Sequence, residues 1–211
     1  VFRRLIQTTA DGMMVYHVAV TLPDVLLGLG LGLVLATSAG TVLAKSPAAE
    51  RLLSPYIVAS QSIPTVAIAP LLVIWFGPGR LSKMLISALL VFFPVLVNTM
   101  VGIRSVPDDL HDLMRTLKAS RWQIFTRLEL PAALPVYLGG VKVGATLSVI
   151  GAVVGEFVGS DEGLGFVINV ARGMYDTALV FAAVFVLIAL ALSLYGLVSL
   201  VENRVLAWYG K

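Results

Sequence analysis

Cysteine is absent from the 211 residues. That excludes disulfides, thiolate metal sites and cysteine nucleophiles, and it leaves the redox compartment open. Charge is scarce: 13% of the residues are Asp, Glu, Lys or Arg, against about 25% in a soluble domain. Histidine occurs only at His17 and His111. Neither has a ligand partner at helical spacing, so no metal site and no catalytic constellation is legible. No G-x-x-x-x-G-K-[ST] run occurs anywhere, so nucleotide hydrolysis must be supplied in trans. Gly28-x-Gly30-x-Gly32 and Gly163-Leu164-Gly165 lack a preceding strand and a third glycine at the required offset, which excludes the dinucleotide fingerprint. The net charge of +3 is no nucleic-acid signal, because basic residues beside apolar spans report membrane topology. Arg3 and Arg4 are followed by no compact apolar core before Asp11, so no cleavable signal peptide is legible.

Apolar residues fill the space that charge vacates. They make up 58% of the chain, and the mean hydropathy is +0.95. Only helices and closed barrels satisfy their backbone in lipid. Barrel strands alternate apolar with polar residues. The runs here are continuously apolar, so the expected fold is an all-α integral membrane bundle of about five transmembrane helices. The spans are expected near 22–44, 56–76, 81–103, 133–154 and 178–201. Residues 1–20 read as an interfacial amphipathic lead-in, with His17 a polar tip at the membrane surface. Trp208 and Tyr209 suit the boundary at the other end. Gly28/Gly32, Gly140/Gly144 and Gly151/Gly155 form small-xxx-small faces for close helix packing.

Polar groups inside such spans are costly unless they are paired or line a wet path. Gln61, Ser62 and Thr65 beside Pro64, and Asn98 in the third span, are either glue between helices or pathway groups. Pro64 and Pro70 are expected to kink the second span. Lys142 can snorkel to the cytoplasmic surface or sit in the translocation path. Glu156 is either a pathway carboxylate or a helix-end surface group.

Residues 108–131 are the longest polar interval. Arg115, Lys118, Arg121 and Arg127 stand beside Asp108, Asp109, Asp112 and Glu129. Apolar residues recur at Leu110, Leu113, Met114 and Leu117, then at Trp122, Ile124, Phe125 and Leu128, which suits short amphipathic helices. Pro107 precedes the interval and Pro131 closes it. Composition allows a solvated loop or a docking element for a cytoplasmic partner.

The run Asp112-Leu113-Met114-Arg115-Thr116-Leu117-Lys118-Ala119-Ser120, with Arg121 following and Leu130-Pro131 downstream, resembles the EAA coupling loop of ABC importer permeases. It departs from the pattern where Leu113 and Met114 replace paired small residues and where Lys118 replaces a glycine. Glycine reaches φ > 0 without penalty and lysine does not. The stretches 62–79 and 92–110 resemble the nitrate/sulfonate/taurine branch of these permeases. Glu156 through Gly163-Leu164-Gly165 is similar to the family's "AE…GLG" segment, an outer-side re-entrant hairpin near the gate.

The resemblance implies a type I ABC importer permease: one domain over 1–211, with a lead-in at 1–20, a cytoplasmic coupling loop at 108–131 and a gate segment at 156–176. It implies a multi-pass location in the bacterial inner membrane, with lipid around the spans. It implies a homodimer of permeases, two ATPase subunits that bind ATP and Mg, and an extracytoplasmic binding protein. This chain itself would hold no cofactor, no metal, no nucleic acid and no catalytic residue. The solute would be a small polar organic molecule or anion of the sulfonate, taurine, nitrate or pyrimidine-precursor type. The alternative is a secondary transporter or channel without an ATPase, which would need inverted repeats and midplane ionisable groups. With residues 108–131 inside, nine Lys and Arg lie on the cytoplasmic side and five outside, as the positive-inside rule requires. That places Val1 outside, and a further span before it is expected from the resemblance.

Overall fold

A computed structural model describes residues 1–61 and 63–207. Trp208, Tyr209 and Ser62 therefore lie outside the described residues, as do the side chains of Ser60 and Gln61. The described residues are nearly all helical and contain no strand. The helices are α1 (Phe2–Ala10), α2 (Met13–Lys45), α3 (Pro47–Gln61), α4 (Thr65–Phe76), α5 (Arg80–Arg104), α6 (Asp108–Thr116), α7 (Arg121–Ile124), α8 (Leu130–Gly159), α9 (Leu164–Gly173) and α10 (Thr177–Val205). A π-helical turn, Phe125–Glu129, joins α7 to α8 without interruption.

Four helical stretches are long and apolar enough to cross a membrane: Met13–Lys45, Arg80–Arg104, Arg121–Gly159 and Thr177–Val205. The expected span over 56–76 is instead broken into α3 and α4, of 15 and 12 residues. Each is shorter than the roughly 20 residues a membrane-crossing helix needs. Pro64 causes the break. Its φ of −61° and ψ of 116° are extended, it has no N–H to donate, and it disfavours helix at the residue before it. Pro70 sits inside α4 without ending it. The first span starts earlier than expected, because Gly12 at φ 76° turns the chain out of α1 and α2 begins at Met13.

The core is a three-helix layer with α5 between α2 and α8. Small residues make that closeness possible. Gly28, Gly32, Ala36 and Gly40 recur every four residues on α2, so they share one face. Ala36 is fully buried. A methyl group built on Gly32 would stand 2.7 Å from Val91, and one on Gly40 would stand 2.8 Å from Thr99. On α8, Gly140, Gly144, Gly151 and Gly155 face α5 in the same way, against Asn98, Val91, Ser87 and Lys83. Without a hydrophobic force between helices in lipid, close van der Waals contact of this kind holds the bundle. The expected small-residue faces therefore form, and both meet the same helix.

Helix α10 covers α8, with Leu194 against Val25, Ala145, Val149 and Ala152. At the outer end α1, α9 and α10 meet around Met14, Leu164, Val167 and Ala183. Asp176 caps α10 by accepting from the Leu179 N–H at 3.0 Å. That hydrogen bond, with Arg4 at 3.0 Å, holds its carboxyl below the usual carboxylate range.

Candidate functional site

Two polar clusters stand at opposite ends of α2. At one end residues 108–131 form a helix–turn–helix. Pro107 precedes α6, whose first turn carries Asp108 and Asp109, where the positive end of the helix dipole favours acidic groups. Lys118 ends α6 in the left-handed region at φ 53°. The Ala119 N–H donates to Met114 O and the Lys118 N–H to Arg115 O, both at 2.9 Å. This is a Schellman closure, normally built on glycine. Lysine thus adopts the glycine conformation rather than abolishing the turn. Ser120 then starts α7 with a capping box: its hydroxyl accepts from the Gln123 N–H, and Gln123 Oε1 accepts from the Ser120 N–H.

Pro131 does not close the segment. It sits in the first turn of α8, where its missing N–H and fixed φ are tolerated. The turn before it widens to the π form, with the Leu130 N–H reaching back to Phe125 O. The segment is therefore continuous with the span that follows.

Asp112, Leu113, Lys118, Arg121 and Leu130 are exposed, and Met114, Ala119 and Pro131 are half-buried. Asp112 pairs with Arg115 at 3.0 Å on the surface. Leu113 at 54%, Leu117 at 68% and Trp122 at 70% stand open among the charges. An apolar patch rimmed by charge marks an interaction surface.

Behind this surface a cavity of about 780 Å³ separates the segment from the feet of α2 and α5. Lys45, the last residue of α2, reaches the buried Glu129 at 2.7 Å. Its ammonium also lies 4.2 Å from the centre of the Phe125 ring. His111 Nε2 stands 3.6 Å from the other Glu129 oxygen. Arg104 donates to Leu43 O at 3.0 Å and to Ala44 O at 3.3 Å, satisfying carbonyls that the end of α2 leaves free. Arg104 also pairs with Glu50 at 2.5 Å and holds that carboxyl below its usual range. Lys142 pairs with Glu202 at 2.6 Å, tying α8 to α10.

At the other end of α2 Glu156 is 1% exposed, so the surface reading is overturned. Its Oε1 accepts from Thr21 at 2.7 Å and its Oε2 from the Gly165 N–H at 2.6 Å. The Leu164 N–H donates to Thr21 Oγ1 at 2.9 Å, and the Gly163 N–H to His17 Nδ1 at 3.1 Å. Helix starts leave such donors unpaired, and Gly163, at the cap position, has no side chain to accept one. Residues from α2 and α8 supply the cap instead. Gly163 has φ 107°, and a methyl group there would fall on the Glu156 carboxylate, so glycine is required twice over. Asp24, also 1% exposed, pairs with Arg80 at 3.1 Å and Lys83 at 2.8 Å.

His17 is thus a capping residue rather than a free polar tip, and Thr21 and Asp24 were not singled out from the sequence. The spacing 17, 21, 24 puts all three on one helical face, and that was the available signal. Among the pathway candidates, Pro64 is exposed and Thr65 half-buried at the start of α4. Asn98 donates to Pro94 O of its own helix at 2.8 Å and packs against Gly140. Gln61 ends α3. Among the described side chains, Thr65, Pro64 and Asn98 make no hydrogen bond or ion pair with Glu156.

A family model described as "Binding-protein-dependent transport system inner membrane component" matches residues 28–207. The riboflavin transport system permease protein RibX of Chloroflexus aurantiacus is 48% identical over 159 residues, which are 75% of this chain and 59% of that protein. The chain therefore spans about three-fifths of that relative's length. The formylaminopyrimidine transport permease protein ThiX of Halalkalibacterium halodurans is 36% identical over 202 residues, 96% of this chain and 81% of that one. A chain of the MetNI methionine ABC transporter, solved in inward-facing conformations, superposes with a TM-score of 0.78 over 90% of this chain and 94% of that one. Its identity of 18% makes that a likeness of fold alone. With its four apolar stretches, this multi-pass chain belongs to the family of binding-protein-dependent transport system inner membrane components.

Proposed function

We propose that the chain is the permease subunit of an ATP-driven importer, that residues 108–131 dock onto a partner ATPase, and that the subunit works as a homodimer fed by an extracytoplasmic binding protein. The observation that carries this reading is the exposed α6–turn–α7 unit. It offers Leu113, Leu117 and Trp122 beside Asp112, Lys118 and Arg121 at one end of a membrane bundle. Apolar anchors ringed by charge suit a groove on a soluble partner. ATP and Mg would be bound by that partner. Its closure would move the docked segment and shift the bundle between inward and outward opening. Gln61, Ser62, Pro64 and Thr65, together with Asn98, form the proposed polar stretch of the pathway. Glu156, with both oxygens engaged, is read as a clamp.

RibX is named for riboflavin and ThiX for formylaminopyrimidine. Both are nitrogen heteroaromatics, and that class is the first to test for the transported solute, ahead of taurine or sulfonates.

The test is a detergent pull-down with the ATPase encoded beside this chain. The unsubstituted chain should retain the ATPase, and Asp112→Lys should lose most of it. Equal capture by both would count against the docking assignment. Capture of no ATPase by a well-folded chain would favour a secondary transporter or channel.

A further inference from the structure

Helix α2 touches both polar clusters. Thr21 and Lys45 lie 24 positions apart on one uninterrupted helix, or roughly 36 Å at 1.5 Å per residue. At its inner end, among the described residues, every hydrogen bond, ion pair and cation–π contact between α2 and residues 108–131 runs through Lys45: to Glu129 at 2.7 Å and over Phe125 at 4.2 Å. Both partners belong to the π-helical turn. Such turns are wide, locally misregistered and frequent at functional sites. Glu129 is buried and also faces His111 of α6 at 3.6 Å. A displacement of α6 or of the π turn is therefore felt first at Glu129.

At its outer end α2 holds the first turn of α9 through His17 and Thr21, and Thr21 holds Glu156 of α8. Asp24 on the same face grips Arg80 and Lys83 of α5. Pro23 lies inside α2 and donates no N–H, but the helix continues through it to Lys45, so a displacement at one end is carried along its length.

We propose that Lys45 is the positioning residue through which the coupling segment moves α2, and that α2 carries this displacement to the cap of α9 at the opposite face of the membrane. The inference rests on the importer reading above and adds to it a named joint and a named rod. Arg104, which grips the same end of α2 from α5, is the fulcrum rather than the link, because its partners among the described residues are Leu43, Ala44 and Glu50, none of them in 108–131.

The chain has no native cysteine, so Glu162→Cys supplies a single thiol on the exposed turn beside the α9 cap. The experiment measures its alkylation rate in the assembled permease–ATPase complex, with and without Mg-ATP. In the otherwise unsubstituted chain, ATP should change the rate several-fold. Lys45→Met keeps the stem and removes the charge, and Glu129→Gln keeps the shape. Each should bring the ratio close to one while the ATPase still co-purifies and still hydrolyses ATP. A merely structural role would lower yield or ATPase capture and leave the ratio intact in the complex that forms. A full ATP response in either variant overturns the proposal. So does a thiol that ignores ATP in the unsubstituted background, although the importer reading then stands. If the unsubstituted chain captures no ATPase, that reading falls and this inference with it.

Discussion

Lys118 occupies the one position in the coupling turn where a side chain is a burden. Its φ of 53° places Cβ against the following carbonyl, a conflict of roughly 1–2 kcal/mol for an L-residue. The Schellman bonds around it hold the conformation nonetheless. Tyr175 does the same at φ 57° after α9, so two helix ends of this chain close on a residue other than glycine. Lys118→Gly should stabilise the segment by about 1 kcal/mol, raising the apparent unfolding temperature by roughly 2–4 °C for a chain of this size. Thermal unfolding of the detergent-solubilised protein checks this. An unchanged or lower temperature would show that Lys118 makes a compensating contact. The substitution pattern was legible in the sequence, as was the need for φ > 0. The flanking bonds that let lysine take it were not.

At the scale of helices, two neighbouring glycines on α2 give opposite expectations. Gly30 has no atom within 4 Å of where its Cβ would be, whereas Gly32 would place its own 2.7 Å from Val91 and 3.0 Å from the Ala88 carbonyl. Gly30→Ala should be neutral or stabilising by about 0.5–1 kcal/mol, from helix propensity alone. Gly32→Ala should cost about 1–3 kcal/mol, because α2 and α5 must move apart. Side-by-side chemical denaturation of the two variants decides it, and equal effects would refute the packing assignment. Periodicity alone drew the small-residue faces on α2 and α8. It did not say that both turn toward α5, because spacing fixes a face and not the neighbour it meets. The broken second span has a similar lesson. Pro64 and Pro70 look alike in sequence, yet Pro70 is absorbed inside α4 and only Pro64 stops a helix. The difference lies in the surrounding turns, which the proline itself does not encode.

For the whole molecule, the charged clusters define two faces. Lys45, Arg104, His111 and Glu129 stand at one end, and Asp24, Arg80, Lys83 and Glu156 at the other. With the basic excess on the coupling side, that side is expected to face the cytoplasm. Single thiols introduced by Lys118→Cys and Asp161→Cys should label from opposite sides of sealed inverted vesicles, position 118 from the exposed cytoplasmic side. Labelling of both from one side would overturn the topology.

Composition settled the membrane environment, because a chain 58% hydrophobic and 13% charged cannot be solvated as a soluble domain. The absence of a nucleotide loop raised the expectation that any hydrolysis is supplied in trans, and the polar interval at 108–131 marked the segment open to solvent. These are local properties, carried by residue type and spacing along the chain. What Glu156, His17, Lys45 and Glu129 do was decided only by tertiary structure. Each bonds to a residue on a different helix, among them Glu129 for Lys45, 84 positions away, Thr21 for Glu156, 135 away, and Gly163 for His17, 146 away. A buried charge or unpaired helix donor states in sequence only that it needs a partner. Which partner answers depends on the side-by-side placement of α2, α5 and α8, and that placement follows from how closely their glycine faces allow the backbones to approach.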